Sequence, residues 1–390
     1  MRISVFTIGR FHHFNLARQI LQRGHGLKLF TSNPVSRVDA DLRPFARTRP
    51  IYRIPFAVGG RLGLSSQLYW LDEILLKDLA TWLVRSLDMG WTDIFHAMDG
   101  TGPKTGRFVR ERGKVWICDR PCTHILTQKE ILVEEHKHWG IPPPQFSADR
   151  LERCVAEYEE AHAVTVPTQF AKRTFVKHGV ASERVFVCPY GVDLAEFRPA
   201  KKREDVFRVI YVGQVTVRKG IGYLLEAIGP LVRRHRVELW VVGEIDPRML
   251  PLLDRYKGVF AYKGVSPRQD LWQLYSQASV LVLPSVEEGL ALVQAQAMAC
   301  GVPVISTTNT GAEDLFTDGV EGFIVPIRDP AAIREKLEWM IESRELRDKM
   351  AAAALERVKS LGGWDRYGEC VEAVYKKVAG SHDIEMRDDQ

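Results

Sequence analysis

The chain has 390 residues, long for one core, and suggests about two domains on a rough prior of ~150 residues each. Hydrophobic residues at 45%, charged residues at 26% and a formal net charge of +5 are ordinary for a soluble globular protein. The cysteines, Cys118, Cys122, Cys154, Cys188, Cys300 and Cys370, are scattered without the two-residue gap of a zinc or redox motif, so reduced thiols in a cytosolic protein are expected.

Met1 to Ile8 carries one Arg and a short apolar run with no small-residue cleavage site, which predicts neither a signal peptide nor a transmembrane helix. Ile3 to Ile8 reads as a strand, Gly9 opens a loop that holds His12 and His13, and Phe14 to Leu21 reads as an amphipathic helix ending at Arg23 to Gly26. Between Arg37 and Arg61 lie six arginines, at positions 37, 43, 47, 49, 53 and 61, against Asp39 and Asp41. Such a stretch suits anionic lipid headgroups or a phosphorylated acceptor, or else is a solvated loop. Nucleic acid is a poor fit, because no recognisable binding module stands beside it. Gln67 to Leu87 places Leu68, Leu71, Leu75, Leu79, Trp82 and Leu83 at helical spacing, a stripe that reads as core rather than membrane anchor. Thr92 to Gly100 and Val115 to Ile125 are each a short apolar strand followed by polar groups. On this reading His96, Asp99, Asp119, Arg120 and His124 face a cleft, although a lone His after a strand is more often structural than catalytic.

Cys188 to Pro199 precedes the charged run Lys201 to Asp205, which reads as a linker. A second strand-loop-helix unit opens at Arg208: Val209 to Val212 is apolar, Gly213 permits a tight turn before Gln214, and Arg218 and Lys219 precede a helix starting near Gly220. Two cations beside a helix start suit a phosphate group. Leu239 to Glu244 reads as a strand ending in a turn at Gly243, and Tyr262 to Val280 as a loop with Gly264 and Val265 followed by a helix. Val280 to Leu283 is a buried strand stopped by Pro284 and Ser285, after which Val286 to Gly289 puts two carboxylates ahead of a helix start. Free backbone N–H groups there suit a phosphate or a sugar hydroxyl beside Glu288. Gly301 and Pro303 stop that helix, and Val302 to Ile305 can return as a parallel strand. Thr310 to Pro326 has glycines at positions 311, 319 and 322 that fit turns at a cleft rim.

Val280 to Val304, with Cys188 to Pro199, Arg208 to Ile228 and Gly362 to Gly380, resembles the retaining, nucleotide-sugar-dependent glycosyltransferases of family 4. The resemblance implies an α/β protein of GT-B fold, two Rossmann-like domains with parallel sheets facing across a cleft. It implies an acceptor-binding domain over 1–198, a nucleotide-sugar-binding domain over 199–361, and a closing helix and tail over 362–390 that return to the first. The family pattern is Glu, seven residues, Glu; this chain has Glu288 but Gln296. By resemblance Glu288 contacts the donor sugar, Gln296 the ribose, and Gly264 and Val265 the base. Gly289, Leu290, Ala291 and Leu292 form the helix start on the donor. Gly9, Gly213 and Gly243 let the backbone approach it. Gln214 stands where the family has an Arg, Lys219 is kept, and Arg218 is extra and positioned to replace the missing charge. His12, His13, Arg120 and His124 fall on the acceptor side. His96 is a candidate catalytic group, as is Asp119, which aligns with a His that touches the donor sugar in relatives.

The implied reaction moves a sugar from a nucleoside diphosphate sugar to an acceptor hydroxyl with retention, by same-face attack in which the leaving phosphate takes the acceptor proton. No Asp-x-Asp motif is present, so no metal or other cofactor is expected beyond the nucleotide-sugar co-substrate. Expected partners are that donor, a sugar or lipid-linked acceptor and an anionic membrane surface, at a cytoplasmic site peripheral to the inner membrane face, in cell-surface polysaccharide or glycolipid synthesis. A nucleotide-sugar 2-epimerase would share the fold, with the Glu288 segment arguing against it. A non-catalytic nucleotide-binding scaffold is motivated by Gln214, Gln296 and Asp119. A Rossmann dehydrogenase lacks its glycine fingerprint after the first strand.

Overall fold

A computed structural model describes residues 1–52, 69–100, 103–200 and 206–388. Arg53, Arg61, Leu68 and the Lys201 to Asp205 linker lie outside the described residues.

The first half builds β1 (Arg2–Thr7), α1 (His13–Gln22), β2 (Gly26–Thr31), β3 (Ala46–Thr48), α2 (Tyr69–Ser86), β4 (Ile94–Met98), α3 (Pro103–Arg110), β5 (Val115–Asp119), α4 (Ile125–His138), α5 (Ala148–Glu160), β6 (Ala163–Val166), α6 (Gln169–Lys177) and β7 (Val185–Val187). Its seven strands pair in parallel in the order β3-β2-β1-β4-β5-β6-β7. Ile3 to Thr7 are all buried, as continuous apolar runs in parallel strands covered on both faces require. The second half builds β8 (Phe207–Val212), α7 (Ile221–Arg234), β9 (Val237–Val242), α8 (Leu250–Asp254), β10 (Ala261–Tyr262), α9 (Leu271–Ser276), β11 (Val280–Leu283), α10 (Leu292–Ala299), β12 (Val304–Thr307), α11 (Ala312–Leu315), β13 (Gly322–Val325), α12 (Pro330–Glu342) and α13 (Arg344–Ser360). This parallel sheet runs β10-β9-β8-β11-β12-β13. In both sheets order reverses beside the first strand, and such switch points open a crevice at the carboxyl edge.

The closing helix α14 (Gly363–Asp388) buries Tyr367, Val371, Val374 and Tyr375 in the same core as Phe14, Ala17 and Ile20 of α1. It thus returns to the first sheet, and the chain crosses between the domains twice. The crossings touch where a Cβ on Gly191 would stand 2.2 Å from the Gly363 carbonyl carbon, so only glycine fits. Within α7, Pro230 cannot donate to the carbonyl of Glu226; Arg334 of α12 donates to that oxygen instead at 3.1 Å.

The predicted stripe on α2 is shifted: Leu76, Leu79 and Leu83, with Leu87 just past its end, are buried while Leu75 is half-buried. The basic stretch is not a plain solvated loop. It contains β3, and Arg49 there pairs with Asp78 of α2 at 2.7 Å. Gly322 lies inside β13 rather than in a turn; an added Cβ would meet Val304 O at 2.0 Å, so the glycine serves close strand packing.

Candidate functional site

The carboxyl edge of the second sheet gathers the charged groups. Beyond β8, Gly213 takes φ 150° and Gly243, beyond β9, φ 137°; Gly243 N donates to Gly264 O at 2.9 Å. Val265 beside them is 71% exposed, and Gln214 is exposed with its backbone oxygen accepting from Tyr211 Oη at 2.6 Å. Arg218 and Lys219 immediately precede α7, and Glu287 and Glu288 occupy the loop between β11 and α10. Glu288 is buried, with the Lys219 ammonium against its Oε1 and Arg218 Nη2 at 3.4 Å. Burial opposes the charge on Arg218, but Glu288 and Glu287 outweigh it and hold the guanidinium above its ordinary value. Helix α10 begins three residues beyond Gly289, at Leu292, later than the sequence suggested. Its N-cap Ala291 has no side chain to bond the free N–H groups, so the helix start is open to another acceptor. Gln296 is buried, its Oε1 accepting from Tyr275 Oη at 3.2 Å.

Across the cleft, the carboxyl edge of the first sheet is organised by Asp119 at the end of β5. Its Oδ2 lies 2.8 Å from His12 Nε2 and 3.3 Å from His13 Nε2; its Oδ1 accepts from Thr165 Oγ1 at 2.6 Å and lies 3.7 Å from His96 Nε2. Burial pushes the Asp119 carboxyl up, yet the His12 charge and the bonds from His12, His13 and His96 outweigh it and leave the group well below the usual carboxylate range. Burial lowers His13 and His96, which favours their neutral forms. His12 stacks on Tyr190 at 4.2 Å, and His96 Nδ1 lies 2.9 Å from Tyr375 Oη of α14. Both ring nitrogens of His13 are buried; the Asp119 carboxylate at 3.3 Å stands against Nε2, and Nδ1 has no hydrogen-bond partner. Gly9 has no positive φ; a Cβ there would collide with the Phe11 ring at 2.6 Å.

Arg120 and His124 do not face an open cleft, as the sequence reading had them. Arg120 is a buried counter-ion of Asp99 at 2.6 Å and also donates to Thr123 O and Gln128 Oε1, each at 3.0 Å. His124 is the N-cap of α4, its Nδ1 accepting from Leu126 N at 3.3 Å while its ring stacks on His178 at 4.4 Å. Burial, then His178 and Arg120, lower it to about 3. Both are spent on the fold, Arg120 as a counter-ion just past β5 and His124 as a helix cap.

The sequence reading missed the groups that join the domains. Glu287 is 0% exposed and bridges them: its carboxylate accepts from Thr123 N at 3.2 Å, Thr123 Oγ1 at 2.7 Å, Gln128 Nε2 at 3.1 Å and Arg218 Nη1 at 3.0 Å. Thr168 Oγ1 donates to Gly289 O at 2.9 Å, Gln169 N to Asp314 Oδ2 at 2.9 Å and Tyr223 Oη to Glu135 Oε2 at 2.8 Å; Arg328 pairs with Glu134 at 2.8 Å and with Glu135. A Cβ on Gly289 would stand 1.8 Å from Pro121 O, so the loops that bound the cleft are in contact and the molecule is closed. The doubled acid at 287 and 288 was the available signal, but spacing alone does not say which carboxylate turns toward the other domain.

Among the described residues, two groups bring potential metal-ligand atoms within 4.8 Å of one another: His12, His13 and Asp119, and Asp99, Cys154 and Glu157. In the second, Asp99 is held by Arg120, and Glu157 accepts from Gly100 N at 2.7 Å. No described helix is long and apolar enough to cross a membrane.

Comparison with known proteins agrees with this geometry. Residues 206–343 match the model of the family described as glycosyl transferases group 1. A D-inositol 3-phosphate glycosyltransferase of Nocardiopsis dassonvillei is 31% identical over 93% of this chain and 87% of its own. Its counterpart in Geodermatophilus obscurus is 26% identical over 93% and 83%. Among solved structures, sucrose-phosphate synthase from Thermosynechococcus elongatus aligns with a TM-score of 0.74 at 20% identity, over 98% of this chain and all (100%) of that one. Anabaena HepE in complex with UDP and glucose aligns at 0.70 and 15% identity, over 97% and 100%. Two parallel α/β domains closed on a charged cleft, together with these matches, make the chain a GT-B glycosyltransferase of group 1.

Proposed function

We propose that the chain transfers a sugar from a nucleoside diphosphate sugar to an acceptor hydroxyl with retention of anomeric configuration. The observation that carries this reading is the convergence of Arg218, Lys219 and Glu288 where the starts of α7 and α10 meet at one sheet edge. When donor enters, its diphosphate is a better partner for the two cations than a single carboxylate, because it brings more acceptor oxygens to the same place. Glu288, released from Lys219, then accepts from sugar hydroxyls. Among the described residues the side-chain N–H groups of Gln296 meet no acceptor, and they suit a ribose oxygen. Gly243, Gly264 and the exposed Val265 line the base.

Catalysis on this reading is positioning plus charge stabilisation of the departing diphosphate. The oxygen that leaves C1 takes the acceptor proton on the face from which the acceptor attacks, so configuration is kept. The two cations do the neutralising that a divalent ion does elsewhere. Asp119, with His12 and His13, orients hydroxyls on the acceptor side. The domain contacts through Glu287 and Thr168 exclude water during transfer. The relatives named for D-inositol 3-phosphate and the neighbour solved with UDP support a uridine nucleotide and a polyol acceptor. Assembly of cell-surface glycolipid or polysaccharide is the destination we assign.

Calorimetric titration with UDP, GDP and ADP tests the donor half. One nucleotide should bind, and Lys219→Ala should weaken it; binding of none would remove the donor-site reading.

A further inference from the structure

We propose that Cys188 and Cys370 form a redox modification site, a dithiol that a low-molecular-weight disulfide oxidises reversibly to a bond tying together the two segments that cross between the domains. The pair takes no part in the transfer proposed above. Cys188 directly follows β7, its N–H donating to Val166 O at 2.8 Å, and opens the first crossing. Cys370 lies on α14, beyond the second crossing. The two are 182 residues apart in the chain, yet their Sγ atoms stand 2.9 Å apart, and Cys370 Sγ is 3.2 Å from Val187 O. A disulfide bond is about 2.05 Å long, so the sulfurs have to close by less than about 1 Å to be joined.

The two thiols are unequal, as attack and resolution require. Cys370 is partly exposed, and Cys188 is buried. The hydrogen bond from Cys188 lowers the Cys370 thiol against the opposing burial, helped by the Arg366 guanidinium; the same hydrogen bond, then burial, push Cys188 well above its ordinary value. Burial raises Cys118, Cys122 and Cys154 instead, the last two to about 11 and about 12, so they stay protonated at neutral pH. The Cys370 thiolate attacks one sulfur of the small disulfide and expels the other as a thiolate, leaving a mixed disulfide. Cys188 then gives its proton to solvent and attacks Cys370 Sγ, expelling the second small thiol. Two protein thiols lose two electrons and two protons in all, and the small disulfide takes them up as two thiols.

The bond forms beside the acceptor-side histidines. Tyr190, two residues beyond Cys188, stacks on His12 at 4.2 Å, and Tyr367, three residues before Cys370, meets His12 edge-on at 6.0 Å. Gly191 and Gly363 touch across the crossings. Opening the cleft requires the two crossings to bend past one another there, and a covalent tie at the base of both leaves less room for that motion. The oxidised molecule therefore opens, and releases product, more slowly.

The full chain is equilibrated with oxidised glutathione, quenched with acid and mapped by mass spectrometry without reduction. The wild type should lose two hydrogens in intact mass and yield a peptide pair joined through Cys188 and Cys370, both changes reversed by dithiothreitol. Cys188→Ser should stop at a glutathione adduct on Cys370, whereas Cys370→Ser should leave Cys188 unmodified. Because the tie closes a loop that contains the whole second domain, the oxidised wild type should melt at least about 4 °C higher. Its kcat for acceptor-dependent nucleotide release should fall and recover with dithiothreitol, while Cys370→Ser keeps its kcat in the same oxidant. Cys188 and Cys370 left as thiols, or joined to other partners, overturn the proposal, and so does a linked form that matches the reduced protein in melting temperature or in kcat. Mapping and melting read the site without any transfer, so a chain that fails as a transferase still decides this question.

Discussion

Replacing Glu287 by Gln is the sharpest perturbation of the closed state. The carboxylate gathers four donors, two from Thr123, one from Gln128 and one from Arg218. An amide of the same shape has one accepting and one donating end. Turned toward Arg218 and Gln128, its NH2 meets donors only; turned toward Thr123, the hydroxyl can rotate to accept, but Thr123 N is left unpaired. Either way one buried donor loses its acceptor and Arg218 loses a charge partner, retaining Glu288 at 3.4 Å. We take the cost as about 3 kcal/mol, which is about 10²-fold in an equilibrium constant. Thr123 and Gln128 belong to one domain and Glu287 to the other, so the cost falls on closure rather than on the folding of either domain. Small-angle scattering at a nucleotide concentration that keeps the wild type compact should show an expanded Glu287→Gln molecule, with kcat/KM lowered by about 10²-fold and thermal unfolding little changed. Scattering and kcat/KM within twofold of wild type would refute the latch. Burial pushes the Glu287 carboxyl up, but Arg218, Thr123 and Gln128 outweigh it and hold it below its ordinary 4.5, so closure is stabilised above that pH and loses this contribution as pH falls through the lower bound-state value.

Lys219→Ala and Glu288→Ala should each lower transfer by roughly 10²-fold or more, through lost stabilisation of the leaving diphosphate and lost sugar positioning; steady-state kinetics with unchanged turnover in either would remove that residue from the mechanism. His124 is lowered to about 3, and His162, whose Nδ1 accepts from Trp116 N at 3.0 Å, to about 4, in both cases first by burial. Their neutral forms are the folded ones, so the stability they supply is complete above the ordinary 6.5 and drains away as pH falls toward those values. Melting curves should shift down from neutral pH to pH about 5, less so in His124→Asn, and a flat profile would contradict the assignment. Dialysis against a chelator should leave acceptor-dependent nucleotide release unchanged; loss restored by added zinc would instead put a metal among His12, His13 and Asp119.

Much of the donor domain was legible because its signals are local. Val280 to Leu283 is a strand with the predicted bounds, and the strand ending before Gly213 and the cations before α7 follow the expected order. Periodicity worked less well for α2, where one residue of phase separates half-buried Leu75 from core Leu76. Contacts distant in sequence were invisible. Asp119 meets His12 across 107 residues, and Glu287 meets Thr123 across 164, so neither the histidine cluster nor the latch leaves a pattern in any window of the chain. Arg120 and His124 misled for the related reason that polarity marks a group needing a partner without saying whether that partner is substrate or protein.

The central claim is that this closed cleft transfers a sugar from a nucleoside diphosphate with retention. Proton NMR of the reaction with the bound nucleotide's α-linked sugar donor and a phosphorylated polyol tests it most directly. The account predicts nucleotide release that requires the acceptor and an anomeric coupling in the first-formed product that matches the α-configured donor. A β-linked product, or release that proceeds equally without acceptor, would contradict it.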